Sequence, residues 1–213
     1  MKYKGIIFDL DGVICSTDEY HYRAWQALAD RLGIPFDRAR NNLLRGVSRL
    51  ASLEIILEKS SQTYTEVEKT AFAEEKNHLY RESLKLMSPA DLPEDVKHTL
   101  NALRAKGVRL AIGSSSKNAP FILERIGLTG FFDAVADGNC ITHSKPNPEV
   151  FLKAAEMIGL PPSECLVVED ARAGVEAAVA GGFACAAIGD ARDDSRATYH
   201  LDKLSDLLVC TEK

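Results

Sequence analysis

The stretch Ile6-Ile7-Phe8-Asp9-Leu10-Asp11-Gly12-Val13 runs an apolar segment into two aspartates spaced two apart, then a glycine. On a strand, side chains two apart share a face, so this spacing sets Asp9 and Asp11 side by side and turns Leu10 into the core. Adjacent carboxylates repel. They coexist when a cation sits between them or when one carries a proton. Either arrangement is chemistry: a metal clamp, or a nucleophile beside an acid/base. A lone D-x-D is ordinarily a strand ending in a polar turn. The wholly apolar lead-in and the following Gly set this one apart.

Three further clusters carry comparable potential. Gly113-Ser114-Ser115-Ser116-Lys117-Asn118 offers hydroxyls and loop N–H groups to an anion; alone it reads equally well as a polar loop whose Ser or Asn caps a helix. Leu166-Val167-Val168 runs into Glu169-Asp170. With Asp9 these acids make three carboxylates at the ends of two separate strands, hard oxygen donors that suit Mg²⁺; alone they read as acids at a helix start. No His or Cys accompanies them, which argues against zinc. Lys145, in Ser144-Lys145-Pro146-Asn147-Pro148, lies in a turn before a helix, where a lysine is ordinarily solvated. Gly46-Val47-Ser48-Arg49 puts an Arg at a helix start behind a flexible Gly, able to grip a phosphate with two parallel bonds or simply to be a solvated charge. Lys76 lies midway along a long helical pattern with the same alternative. His21 lies on a stripe with Trp25 and Leu28, the setting of a packed core histidine.

Positioning these groups requires a sheet. Strand one spans residues 3–9. From Ser16 the period changes to i, i+3, i+4, i+7 through His21, Ala24, Trp25, Leu28, Ala29 and Leu32. Ser16 with Glu19 reads as a capping box, and Gly33 as a stop. Helical patterns follow over 37–44, 49–59 and from Thr65, where Thr65 with Glu68 forms a second capping box. After Pro89 helices and strands alternate: helices over 94–106, 119–126, 148–158 and 171–180, strands over 108–113, 134–136, 165–168 and 185–188. Alternation of this kind implies a doubly wound parallel sheet covered on both faces, with ligands beyond the carboxyl ends of its strands. The polar clusters fall at those ends. The expected organisation is an α/β core of 1–15 and 89–213 with an all-helical cap, 16–88, inserted after strand one.

Residues 8–14 resemble the first motif of the haloacid dehalogenase superfamily, most of whose members transfer phosphoryl groups through an aspartyl-phosphate. Ser114 and the Lys145 segment resemble its second and third motifs. Glu19-Tyr20-His21, Arg23-Ala24-Trp25, Gly46-Val47-Ser48-Arg49, Lys76-Asn77, Ser88-Pro89-Ala90-Asp91, Ser116-Lys117-Asn118, Pro120-Phe121, Leu128-Thr129-Gly130 and Phe132-Asp133-Ala134 are similar to the β-phosphoglucomutase family within it. The resemblance implies interconversion of β-D-glucose 1-phosphate and glucose 6-phosphate through an aspartyl-phosphate and glucose 1,6-bisphosphate. It makes Asp9 the nucleophile and Asp11 the general acid/base. Mg²⁺ is held by Asp9, the Asp11 carbonyl, Glu169 and Asp170. Ser114, with Ser115 beside it, and Lys145 bind the transferring phosphoryl group; Arg49, Ser116, Lys117 and Asn118 bind the other phosphate. Thr17, His21, Trp25, Gly46, Val47 and Lys76 belong to substrate contact and cap closure. Ser16 and Ser115 depart from the family pattern. A sugar-phosphate phosphatase on the same core and a non-catalytic sugar-phosphate-binding protein are the alternatives; the first needs only one phosphate site, and the second has no use for Asp9, Asp11 and Lys145 together.

The bulk composition agrees with a globular enzyme acting on small molecules. The chain has 213 residues, 46% hydrophobic, with net charge −5. No basic patch points to nucleic acid or a membrane surface. Five cysteines, Cys15, Cys140, Cys165, Cys185 and Cys210, form no C-x-x-C pair, an odd count suited to a reduced cytoplasmic protein. Cys15, Cys165 and Cys185 are expected in the core, and the chain is expected to act as a monomer.

Overall fold

Six parallel strands make one sheet, in the order β3-β2-β1-β4-β5-β6, in a computed structural model that describes residues 2–210. They are β1 (Gly5–Phe8), β2 (Arg109–Gly113), β3 (Ala134–Ala136), β4 (Cys165–Glu169), β5 (Ala184–Ala187) and β6 (Tyr199–His200). Between β1 and β2 lie α1 (Asp18–Leu32), α2 (Arg38–Asn42), α3 (Arg49–Leu57) and α4 (Glu66–Leu84), with no strand among the described residues. Then come α5 (Glu94–Ala105), α6 (Ala119–Arg125), α7 (Glu149–Met157), α8 (Arg172–Ala180) and a last turn, α9 (Leu207–Cys210).

The apolar runs of the strands follow from burial on both faces. Ile6, Phe8, Leu110, Ile112, Leu166 and Val168 pack with α5, α6 and α9 on one side. Ile7, Ala111, Val167 and Cys185 pack with α7 and α8 on the other. The helices α1–α4 bury a third cluster of their own, including Trp25, Leu28, Leu53, Ile56 and Ala73. Tyr80, Leu84 and Met87 carry the main core into the base of this cap. Cys15, Cys165 and Cys185 are buried as expected. Among the described residues no helix is long and apolar enough to cross a membrane.

Several local expectations are corrected. Strand one is shorter than 3–9 and ends at Phe8, so pleat alternation is not what aligns the two aspartates. The Asp9 N–H still donates to the Val168 carbonyl at 2.9 Å, but Asp11 pairs with Cys15 in an isolated bridge around Gly12, whose φ is +88°. The cap of α1 is Thr17, not Ser16, and its side chain makes no cap bond because it is committed to Asp11. Glu19 instead pairs with Arg23 and Arg38, at 2.8 Å each. The Thr65/Glu68 capping box is present. The sheet does not stop at β5: β6 adds two residues, Tyr199 against Ala186 and His200 against Ala187, too short a segment to leave a periodic signal. The expected core segments include residues 1 and 211–213, which lie outside the described residues.

Candidate active site

The sequence leaves β1 at the middle of the sheet, flanked by β2 and β4. The chain runs outward to β3 on one side and to β6 on the other, so the crevice beyond the carboxyl end of β1 is where a ligand fits. Asp9 follows β1, Ser114 follows β2, and Glu169 ends β4. Parallel registry, Phe8 beside Ile112 on one flank and Val168 on the other, brings these three ends together.

Lys145 is the electrostatic centre of the site. It is buried, and its ammonium donates to Asp9 Oδ1 at 2.6 Å and to Glu169 Oε2 at 2.6 Å. Burial alone would push the lysine toward its neutral form; the two carboxylates outweigh it and hold the group above its ordinary pKa. Glu169 is fully buried, and its other oxygen accepts from the N–H groups of Asp170 (3.2 Å) and Ala171 (3.1 Å). A Cβ at Gly174 would lie 2.0 Å from the Glu169 carboxyl carbon, so only a glycine on α8 makes room for that carboxylate. Gly12 does the same for Asp170: a Cβ there would lie 2.1 Å from its Oδ2.

The cluster carries more negative charge than Lys145 balances. Carboxylate oxygens of Asp9, Glu169 and Asp170 lie within 4.8 Å of one another. Burial, then the Glu169, Asp9 and Asp11 carboxylates, push the Asp170 carboxyl up to about 9. An all-oxygen donor set held against its own repulsion fits a hard divalent cation. Glu169 is the donor most occupied by the protein itself.

Asp11 is tied down differently. Its carboxylate accepts from the Thr17 N–H at 2.6 Å and from Thr17 Oγ1 at 2.7 Å. Tyr80, on α4, donates to the same Thr17 oxygen at 3.0 Å. Burial raises the Asp11 carboxyl to about 6, against the pull of the two Thr17 bonds. A carboxyl near that value exchanges its proton close to neutral pH, as a general acid/base must.

A cleft of about 470 Å³ lies between these strand ends and the cap. Of the residues singled out in the sequence, Asp9, Asp11, Ser114, Ser115, Ser116, Lys117, Asn118, Lys145 and Asp170 line its core side. His21, Trp25, Gly46, Val47, Arg49 and Lys76 line its cap side. Thr17 and Glu169 do not reach it; they stand behind Asp11 and Lys145. Ser114 Oγ accepts from the Ser116 N–H at 3.2 Å, which folds the serine loop over the end of β2. Ser115 Oγ is buried without a hydrogen-bond partner among the described residues. The Asn118 side chain is already engaged, donating to Asn77 Oδ1 at 2.9 Å and accepting from Arg81 at 3.0 Å.

On the cap side, Lys76 is buried with its ammonium 2.7 Å from His21 Nδ1 and 4.6 Å from the ring centres of both Trp25 and Tyr80. Burial, with Arg49 nearby, lowers the Lys76 pKa well below its ordinary value; burial and Lys76 do the same to His21. His21 is therefore neither a plain core histidine nor a free ligand group. Its Nδ1 is the hydrogen-bond partner that anchors Lys76. Arg49 is half-buried, and among the described residues no ion pair occupies it.

Sequence reasoning missed Tyr80, Arg81 and Arg45. Tyr80 was available as part of the buried stripe Ala73, Lys76, Tyr80, Leu84 on α4. Arg45 precedes Gly46 and pairs with Asp190 at 2.6 Å, Asp18 at 3.2 Å and Asp170 at 3.7 Å. All three partners are distant in sequence, and no local pattern announces them.

Comparison with known proteins agrees with this geometry. Residues 3–182 match the haloacid dehalogenase-like hydrolase family. A β-phosphoglucomutase of Bacillus subtilis (strain 168) is 37% identical over 208 residues, covering 97% of this chain and 92% of its own length. The fructose-1-phosphate phosphatase YqaB of Escherichia coli (strain K12) is 34% identical over 183 residues, covering 85% of this chain and 94% of its own. The crystal structure of β-phosphoglucomutase from Clostridium difficile superposes with a TM-score of 0.91 at 34% identity, over 96% of this chain and 93% of that one.

Proposed function

This chain belongs to the haloacid dehalogenase-like hydrolase family, and on that premise we propose that it is a β-phosphoglucomutase, interconverting β-D-glucose 1-phosphate and glucose 6-phosphate. The observation that carries the reading is a cleft with phosphate-binding groups on both walls. Ser114 and Lys145 stand beside Asp9 on the core side, and Arg49, with no ion pair among the described residues, stands on the cap side. A bisphosphate that turns round between half-reactions needs both.

The chemistry follows from the residues in place. Phosphorylated Asp9 gives its phosphoryl group to the sugar 6-hydroxyl. The bond from phosphorus to the Asp9 oxygen breaks, the bond to the sugar oxygen forms, and the hydroxyl proton passes to the Asp11 carboxylate. The resulting glucose 1,6-bisphosphate rebinds with its 1-phosphate at Asp9. The Asp9 oxygen attacks that phosphorus, the bond to the sugar O1 breaks, and Asp11 returns its proton to the leaving O1. Lys145 holds Asp9 in place while it offsets charge on the incoming phosphoryl group. Asp9, the Asp11 carbonyl, Glu169 and Asp170 would hold Mg²⁺, which supplies charge neutralisation at the phosphoryl oxygens. Positioning and electrostatics of this kind do most of the work in phosphoryl transfer. We take the protein to act as a cytoplasmic monomer on small sugar phosphates.

The alternative reading, a sugar-phosphate phosphatase, is supported by the similarity to a fructose-1-phosphate phosphatase. The deciding assay follows product from β-glucose 1-phosphate with Mg²⁺ and trace bisphosphate. Glucose 6-phosphate as the main product is expected. Free phosphate as the main product would replace the mutase by the phosphatase.

A further inference from the structure

We propose that Arg45 is a positioning residue that latches the cap over the carboxylate cluster and, in doing so, competes with the divalent cation for Asp170. The inference rests on the metal reading above.

Arg45 lies in the turn between α2 and α3, on the cap. The next residue, Gly46, has φ +76°, and a Cβ built on it would touch the Cβ atoms of Ala173 and Ala171 at 3.5 and 3.6 Å. The turn is therefore pressed against the core at the start of α8. From this contact the guanidinium spans three carboxylates on three different elements. Asp18 begins α1 on the cap, at 3.2 Å; Asp190 lies on the turn after β5, at 2.6 Å; Asp170 belongs to the oxygen cluster, at 3.7 Å. The Ala191 N–H donates to the Asp170 carbonyl at 2.8 Å, which fixes the Asp190 turn to the cluster.

This geometry gives one cationic side chain two effects. It ties cap to core through Asp190, and it brings a positive charge to a carboxylate that offers its oxygens to a cation. Opening the cap withdraws that charge from Asp170. Cap closure and cation binding in the sugar-free protein are then linked with opposite signs, and the linkage is reciprocal. A bound phosphate reverses the balance, because its own negative charge accommodates both the cation and the guanidinium.

Calorimetric titration of Mg²⁺ into the full-length, sugar-free protein tests this, with Arg45→Gln and Arg45→Lys beside wild type at low ionic strength. Circular dichroism melts verify that each variant is folded. Removing a full charge this close should tighten Mg²⁺ by about threefold or more in Arg45→Gln, while Arg45→Lys stays within about twofold of wild type. Trp25, the chain's single tryptophan, lines the cleft from the cap. Its emission should shift with Mg²⁺ in wild type and start at the shifted position in Arg45→Gln. Equal or weaker Mg²⁺ binding by Arg45→Gln, in a wild type that does bind Mg²⁺, overturns the linkage alone. Absence of Mg²⁺ binding in every variant overturns the metal reading and the linkage together.

Discussion

At the strand ends Lys145 is 2% exposed and spends two 2.6 Å bonds on Asp9 and Glu169. Across the cleft Arg49 has no ion pair among the described residues, and the Asp190 side chain that receives Arg45 is 67% exposed. The core half is a set of buried charges held mostly by one another and by backbone N–H groups, with the Asp170 carboxylate facing like charges and Arg45. The ion pair from Arg45 to Asp190 that joins cap to core faces solvent, where such a pair contributes little, while Tyr80, Leu84 and Met87 supply the apolar contact at the base of the cap. The difference suits the two tasks the proposed mutase reaction would set: holding reacting atoms in one geometry, and admitting and turning a substrate. A buried pair is costly to break, which holds the core half in one geometry; the exposed ion pairs of the cap half break at little cost.

The sharpest way to break this contrast is Asp9→Asn. The amide keeps the shape of the side chain but cannot attack phosphorus, so steady-state assays should find turnover abolished while the circular dichroism spectrum is retained. A substantial fraction of wild-type turnover would take the nucleophile away from Asp9.

Asp11→Asn should cost about 10²- to 10⁴-fold in kcat, the usual range for losing a general acid/base. Thr17 still finds a carbonyl oxygen to donate to, so the site stays assembled. If Mg²⁺ affinity collapsed instead, the Asp11 side chain would be a metal ligand and not a proton carrier.

Arg49→Ala probes the cap half alone. Isomerisation should slow and KM for the 1-phosphate should rise, on the order of tenfold for one lost charge-assisted fork. Hydrolysis of phosphorylated Asp9 needs no distal grip and should fall less, so the ratio of free phosphate to glucose 6-phosphate should increase. An unchanged ratio with full activity would leave Arg49 as an ordinary solvated helix charge.

Tyr80→Phe is the mildest. It removes one donor to Thr17 Oγ1 at the joint between α4 and Asp11. Thermal or urea unfolding should report a loss of about 1 kcal/mol, with kcat reduced less than about tenfold. A larger kinetic effect would make the Tyr80–Thr17–Asp11 chain part of the proton path.

Much of the core half is legible in the sequence. The apolar runs ending in Asp9, in Ser114 and in Glu169-Asp170 each mark a strand end, and parallel alternation sends all of them to one edge. The Thr65/Glu68 cap was readable because its two partners are three residues apart. The Ser16/Glu19 box had the same spacing and failed, because Thr17 is drawn to Asp11 and Glu19 to Arg23 and Arg38. A local motif yields when a tertiary partner competes for its atoms.

The sequence by itself determined the strand–helix alternation, the helical run after strand one and the oxygen-rich character of the strand ends, since periodicity and residue type act over a few neighbours. Only the tertiary structure decided which carboxylates Lys145 holds, that Glu169 and Thr17 stand behind the cleft, and that Arg45, 145 residues from Asp190, reaches it. Those pairings depend on which strand ends and loops fold beside one another, and Coulomb attraction acts on distance in space, which separation along the chain does not encode.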